Sequence, residues 1–340
     1  MLNLPKNNAQ VILKSRPQGI PQAEHFEVVQ SAIPALQDGQ FLVRNDFLSA
    51  EPAMRGWVNA AANYSDPVPV GGVMRSFAAG VVVASRHAAY AEGDQVMGLL
   101  GWQEYAVSDG SVIRRKVLER DLPLSLSLGV LGINGVTAYF ALTEIGEPRP
   151  GDTVVVSTAA GSVGSAVGQI AKLAGCRTVA ITGGAAKQKM CLDDFAYDAA
   201  VDYKSPDFTE ALANACPRGV DVYYDNTSGV ISDTVMRHIN KGARIVICGT
   251  ASVSSWEPWP TGPRMERHLL NKSARMQGFL VWDYEHRYEE AITRLAAWVR
   301  DGSLRYREEI MDGIDKAPDA IAGLYRGENL GKRLIRLQHG

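Results

Sequence analysis

Thr153-Val154-Val155-Val156-Ser157, a strand-like run, empties through Ala159-Ala160-Gly161-Ser162-Val163-Gly164 into Ser165-Ala166-Val167-Gly168-Gln169-Ile170-Ala171-Lys172-Leu173, which has the small-residue pattern of a helix. A strand that runs through a glycine turn into a helix is the unit that seats the pyrophosphate of a dinucleotide. Gly161 lets backbone approach the phosphates, and Gly164 lets the helix lie close to the sheet. The unsatisfied N–H groups at the helix start face the anion. Ala159 stands where the first glycine of the fingerprint is usual. Alone, the turn is weak evidence, since a tight strand-to-helix turn accepts glycine without any ligand.

The next strand strengthens it. Cys176-Arg177-Thr178-Val179-Ala180-Ile181-Thr182 ends in Gly183-Gly184-Ala185-Ala186-Lys187. A site for NAD places an Asp or Glu here, about 20 residues past the glycines, to bind the ribose hydroxyls. Glycine leaves room instead for the extra phosphate of NADP, and Lys187 supplies positive charge to it. The pattern therefore favours NADPH/NADP+, with an ordinary solvated lysine at the start of a helix as the other reading of Lys187.

Composition sets the remaining limits. A chain of 340 residues exceeds the size at which single cores usually stop growing, so two domains are expected. With 35 basic and 37 acidic residues the net charge is −2, which points to neither nucleic acid nor an anionic membrane as partner. The N-terminal residues carry no apolar signal core, and no apolar run is long enough to span a bilayer. A cytoplasmic location is expected. Cys176, Cys191, Cys216 and Cys248 show no metal-ligand spacing, so no metal site is expected. Cys248, in Arg244-Ile245-Val246-Ile247-Cys248-Gly249, reads as a buried strand residue.

Three blocks follow along the chain. From about Gln10 to Arg120, short alternating runs such as Gln40-Phe41-Leu42-Val43-Arg44-Asn45 and Ala79-Gly80-Val81-Val82-Val83-Ala84-Ser85 read as a small barrel or sandwich. From about Ser127 to Asp301, strands alternate with helix-length segments. Further strands are expected at Ala199 to Tyr203, Val220 to Asn226, Ala243 to Cys248 and Met276 to Val281, which together make a doubly wound parallel sheet. Strand signals return at Arg305-Tyr306-Arg307-Glu308 and at Lys332 to Leu337, and this tail is expected to rejoin the first block.

Taken together, the chain resembles the zinc-independent medium-chain dehydrogenases/reductases, in the branch of prostaglandin/leukotriene reductases, plant double-bond reductases and bacterial curcumin reductase. The resemblance runs nearly end to end. It rests on Glu51-Pro52-Ala53-Met54-Arg55-Gly56-Trp57, Tyr64-Ser65-Asp66-Pro67, Gly135-Val136-Thr137-Ala138-Tyr139, the Ala159 to Gly164 turn, Tyr223-Tyr224-Asp225-Asn226-Thr227-Ser228-Gly229 and Asn329-Leu330-Gly331-Lys332. It implies an α/β fold: a GroES-like β-barrel catalytic domain from residues 1–126 and 305–340, and a Rossmann NADP(H)-binding domain, a doubly wound parallel sheet, from 127–304. The active site would lie in the cleft, and a homodimer is expected.

Position by position, the resemblance assigns Gly161, Ser162, Val163 and Gly164 to the pyrophosphate, and Lys187 and Tyr203 to the 2′-phosphate. Asn226 would lie near the ribose. Cys248, Gly249 and Ser254 belong to the loop beside the nicotinamide half, and Phe279, Leu280 and Val281 to the segment against its carboxamide. Asn329 would reach the cofactor from the returning tail; without the resemblance it reads as an ordinary turn residue.

The implied reaction is NADPH-dependent reduction of the C=C bond of α,β-unsaturated ketones or aldehydes, the class EC 1.3.1. Hydride adds to the carbon β to the carbonyl, and the protein must stabilise the enolate oxygen. Tyr64 is the candidate donor to that oxygen; an amphipathic tyrosine at a domain edge is the other reading. Two departures from the branch affect the substrate. Ala53 replaces a tyrosine before Met54-Arg55-Gly56, and Ser254-Ser255-Trp256 replaces a loop that commonly carries one. Met54, Trp57, Trp256 and Trp282 are candidate pocket residues, as is Asn134, which stands where a proline is expected. Core packing is the ordinary reading of each tryptophan. A quinone oxidoreductase of the zeta-crystallin type keeps the cofactor and changes the acceptor, and a non-catalytic NADPH-binding protein is the reading from another class.

Overall fold

In a computed structural model, residues 7–60, 66–253 and 259–339 are described. Two compact units emerge: Met1–Leu128 together with Glu308–Gly340, and Gly129–Arg307.

The first unit begins with β1 (Asn7–Leu13) and β2 (Phe26–Ala32), which pair antiparallel as a separate ribbon. It continues with β3 (Phe41–Ser49), the short helix α1 (Met54–Val58), β4 (Ala78–Ser85), β5 (Gln95–Gly98), β6 (Tyr105–Ser108) and β7 (Ile113–Lys116). Alternation along β3 and β4 buries Phe41, Val43, Leu48, Ala78 and Val82, and these residues build the core together with Met54, Met74 and Trp102.

The second unit opens with α2 (Ile133–Phe140) and then alternates strand and helix. Its elements are β8 (Thr153–Ser157), α3 (Ser162–Leu173), β9 (Arg177–Thr182), α4 (Ala185–Asp193), β10 (Ala199–Asp202), α5 (Phe208–Ala215), β11 (Val220–Asp225) and α6 (Gly229–Val235). There follow β12 (Ile239–Ile247), α7 (Glu266–Lys272), β13 (Arg275–Gly278) and α8 (Tyr288–Arg300). All six strands are parallel, in the order β10-β9-β8-β11-β12-β13. That is the doubly wound order, with its switch point between β8 and β11. Helices cover the sheet's faces, so β8 is buried at every residue, as its continuous apolar run requires. On one face Val155, Val179, Ile181, Tyr223 and Ile245 pack with Phe208 and Leu212 of α5 and Ile231 and Val235 of α6.

The chain then re-enters the first unit through β14 (Glu308–Asp312), α9 (Ala317–Tyr325) and β15 (Lys332–Arg336). β15 pairs with β3, completing a seven-stranded sheet ordered β14-β15-β3-β4-β5-β7, with β6 also on β3. Among the described residues the strand pairing runs from β14 to β7 with β6 branching from β3, without a closed circuit of hydrogen bonds. Two boundaries differ from the sequence expectation. β13 stops at Gly278, and Val281–Arg287 is 3-10 helix rather than strand. The tail strand starts at Glu308, not Arg305.

Candidate functional site

Because the six strands of the second unit are parallel, all their C-terminal ends share one edge, and most of the candidate cofactor residues lie in the loops that leave it. The turn after β8 is strained at Thr158, whose φ is +54°. Gly161 then caps α3 with extended backbone and no side-chain capping bond. The first intrahelical bond is donated by the N–H of Ser165 to Gly161 O, so the N–H groups of Ser162, Val163 and Gly164 precede the helical ladder. Such donors, together with the helix dipole, fit a pyrophosphate.

Gly164 has a reason the sequence suggested. A Cβ there would lie 2.4 Å from Thr158 O and 2.8 Å from Ala159 Cα, so the helix approaches the turn at a distance only glycine allows. A second device was not legible. Tyr197, buried beyond α4, donates its hydroxyl to Gly164 O at 2.6 Å.

After β9, Gly184 takes φ +82° and begins α4. Lys187 is half-buried on α4, and Tyr203 follows β10 with 42% of its surface exposed. The structure adds two neighbours that sequence reasoning missed. Asp202 accepts hydrogen bonds from the Gly184 and Lys204 backbone N–H groups, both at 2.9 Å. Lys204 places its ammonium 5.8 Å from the Tyr203 ring centre.

At the switch point, Asn226 donates its side-chain amide to Ser157 O at 2.7 Å, tying the ends of β11 and β8. Its neighbour Asp225 is wholly buried and forms no ion pair among the described residues. The Asp225 carboxylate accepts from the Thr227 and Ser228 N–H groups and from the hydroxyls of Tyr223 and Ser232 at 2.8–3.0 Å. Asp225 O accepts from the Cys248 and Gly249 N–H groups, so one residue organises the loops after both β11 and β12. Cys248, expected as a buried strand residue, lies just past the end of β12 and is only partly buried; it receives the Tyr224 hydroxyl at 3.4 Å, and desolvation of its sulfur pushes the thiol up to about 11, which leaves it protonated at neutral pH.

After β13, Phe279 is buried and stacks on Tyr284, which stacks in turn on Phe140 of α2. Leu280 is half-exposed, and buried Val281 accepts the Tyr288 hydroxyl through its carbonyl. Trp282 is half-buried on the 3-10 turn. Asn134 lies in the first turn of α2, and its Oδ1 is buried with no hydrogen-bond partner among the described residues.

The remaining candidates belong to the first unit. Ala53 is partly buried at the start of α1, while Met54 and Trp57 are buried within the core. Trp57 packs edge-on to Phe77 and beneath the Arg75 guanidinium. The Ala53 turn is pinned by Tyr325, whose hydroxyl donates to Pro52 O at 2.7 Å and accepts the Arg55 N–H at 2.8 Å. Asn329 donates its amide to Gly331 O, a local turn bond. Tyr64, Ser254 and Trp256 lie outside the described residues. Among the described residues no group of three or more His, Cys, Asp or Glu side chains is placed to hold a metal ion, and no helix is long and apolar enough to cross a membrane.

Residues 9–115 match the family described as "N-terminal domain of oxidoreductase" and residues 162–297 the family described as "Zinc-binding dehydrogenase". The NADPH-dependent curcumin reductase of Escherichia coli (strain K12) is 41% identical over 98% of this chain and 97% of its own length. Prostaglandin reductase 1 of Rattus norvegicus is 39% identical over 95% of this chain and 97% of its own. The crystal structure of CurA in complex with NADPH from Vibrio vulnificus has a TM-score of 0.91 at 41% identity, covering 98% of this chain and 100% of that one. The likeness covers 95–98% of the chain, and the chain belongs to the double-bond reductase branch of the medium-chain dehydrogenases/reductases.

Proposed function

We propose that this protein is an NADPH-dependent ene-reductase that delivers hydride to the C=C bond of α,β-unsaturated ketones and aldehydes. The observation that carries this reading is the C-terminal edge of the parallel sheet. There the Gly161 to Gly164 helix start fits the pyrophosphate, and Tyr203 and Lys204 beside Gly183, with Lys187 in the first turn of α4, fit the 2′-phosphate of a phosphorylated dinucleotide. Relatives of nearly equal length that are named as NADPH-dependent curcumin reductase and prostaglandin reductase support the same reading.

Gly161 to Gly164 would hold the pyrophosphate, and Lys187 and Tyr203 the 2′-phosphate. Asn226 would lie by the ribose, with Cys248, Gly249 and Ser254 beside the nicotinamide half, Phe279 to Val281 against its carboxamide, and Asn329 completing the set. Bound NADPH supplies the hydride. The chain's own task is to align the acceptor and to donate a hydrogen bond to the oxygen on which enolate charge develops, a role we assign to the Tyr64 hydroxyl. Ala53 replaces a tyrosine of the branch and Ser254-Ser255-Trp256 a loop that commonly carries one, and the loss of both hydroxyls suits flat, apolar enones.

In this reading residues 127–304 form the cofactor domain, residues 1–126 with 305–340 form the catalytic domain, and no zinc takes part. The four free cysteines suit a reducing, cytosolic compartment. β13 ends the parallel sheet with Arg275, Gln277 and Gly278 exposed, and Leu270 of the preceding α7 is 81% exposed, which suits edge pairing in a homodimer.

The test mixes the purified protein with NADPH and a panel of enones, enals and quinones. Oxidation of NADPH fastest with enones or enals supports the assignment. Faster turnover of quinones moves it to quinone reduction. Thermal stabilisation by NADPH with no acceptor consumed makes the protein a cofactor binder only. Tyr64→Phe should lower kcat more than it weakens NADPH binding, and an unchanged kcat removes Tyr64 from the chemistry.

A further inference from the structure

An NAD-selecting site carries an acidic side chain at the end of the second strand, where it takes the ribose hydroxyls. Here that position, 22 residues beyond Gly161, is Gly183. The space its side chain would enter is already filled. A Cβ built on Gly183 would lie 3.0 Å from Tyr203 Cε1 and 3.1 Å from Lys204 Cε, so the tyrosine ring and the lysine stem lie against the glycine. A larger side chain there would push both away.

The arrangement is held in place by Asp202. Its two carboxylate oxygens accept one N–H from each of two neighbouring turns, that of Gly184 after β9 and that of Lys204 after β10. The Lys204 backbone is thereby fixed relative to Gly183, while its exposed ammonium sits 5.8 Å from the Tyr203 ring centre and makes no ion pair among the described residues.

We propose that Lys204 is a determinant of the choice of NADPH over NADH: it places a cation where an NAD-selecting site places a carboxylate, and Asp202 sets its position. The proposal rests on the reading that this edge of the sheet receives the adenosine ribose, with Lys187 as the first cation. A 2′-phosphate carries up to two negative charges, and a lysine from each of two neighbouring segments, Lys187 in the first turn of α4 and Lys204 after β10, matches that charge. A free 2′-hydroxyl gains little from an ammonium, so the second lysine separates the cofactors by charge without touching their common parts.

The experiment measures binding of 2′,5′-ADP and of 5′-ADP by calorimetry to the parent, Lys204→Gln, Lys204→Arg and Lys187→Gln proteins. Lys204→Gln should weaken 2′,5′-ADP by about tenfold, the scale of one exposed charge-assisted hydrogen bond, and leave 5′-ADP within about twofold. Lys204→Arg should restore most of the 2′,5′-ADP affinity. The proposal is overturned if Lys204→Gln keeps parental 2′,5′-ADP affinity while Lys187→Gln loses it, or if Lys204→Gln weakens both ligands equally. If neither substitution affects 2′,5′-ADP, the phosphate binds elsewhere, and the assignment of Lys187 falls together with that of Lys204.

Discussion

Lys332 Nζ lies 2.6 Å from Glu51 Oε1, and the two side chains, 281 positions apart in the chain, are both buried. Ser49 Oγ also lies 2.6 Å from the ammonium and donates to the same carboxylate oxygen at 2.6 Å. The contact ties β15 to the turn that carries Pro52 and Ala53. It explains why the two landmarks at Glu51 and Lys332 go together: neither charge is tolerable inside the first unit without the other.

Lys332→Met should therefore destabilise the protein by about 3–5 kcal/mol, because it strands a buried carboxylate. The double change with Glu51→Gln should lose less than the single one. Urea unfolding of the two variants measures both, and a loss under about 1 kcal/mol for Lys332→Met would show that the pair does not hold the tail.

The close approach at Gly164 predicts a sharp contrast between two glycines. Gly164→Ala forces a Cβ to 2.4 Å from Thr158 O, a backbone atom that cannot swing aside, whereas a Cβ at Gly278 meets nothing within 4 Å. Gly164→Ala should cost about 1–3 kcal/mol and, if the turn seats the pyrophosphate as proposed, raise the Kd for NADPH, since the turn must shift. Gly278→Ala should change neither stability nor Kd. Similar behaviour of the two variants in melting and in fluorescence titration with NADPH would refute the close-packing account.

Asp225 makes a different prediction. Removing its carboxylate leaves the Thr227 and Ser228 N–H groups and the Tyr223 and Ser232 hydroxyls without an acceptor. Asp225→Ala should destabilise by about 3 kcal/mol or more, given about 1–3 kcal/mol for each buried group left unpaired. Asp225→Asn, which keeps the shape and one acceptor oxygen, should lose less. Thermal unfolding ranks the three proteins, and equal melting temperatures would mean that the loops after β11 and β12 are held by other contacts.

The cysteines tie stability to alkaline pH. Burial pushes the thiols of Cys176, Cys216 and Cys248 up to about 11 and that of Cys191 to about 12. An unfolded chain loses these protons near pH 8.5. Folded values raised above the unfolded ones give a contribution that is complete below about pH 8.5 and is lost as pH rises through the folded values. The unfolding midpoint in urea should fall between about pH 8.5 and pH 11, and a Cys191→Ala variant should show a shallower fall. At pH 7.5 the native protein should resist a thiol-reactive dye that labels all four cysteines once it is unfolded.

Much of the second unit was legible because its signals are local. The β8 run, the glycine turn and the small-residue helix lie within about 20 consecutive residues, and a fully buried parallel strand shows itself as an unbroken apolar run. Where the reading slipped, the deciding contacts were remote. β12 begins at Ile239, before its apolar core at Ala243, because Ile239 pairs with Val220. The segment after Gly278 turns into 3-10 helix, where Phe279 stacks on Tyr284 instead of continuing the strand.

The sequence alone determined the alternation of strands and helices in the second unit, the glycine turn after β8 and the absence of an acid at Gly183, since each depends on neighbouring residues and on backbone freedom that a residue's identity sets. Only the tertiary structure decided that Asp202 clamps Gly184 and Lys204, that Tyr197 braces Gly164, that Asp225 binds two loops together and that Lys332 neutralises Glu51. Those pairs are made by turns and strands that pattern does not join. Their groups become partners only when folding brings those segments together, and where it also removes water, as at Asp225 and Lys332, each buried group must find its charge or hydrogen-bond partner within the protein.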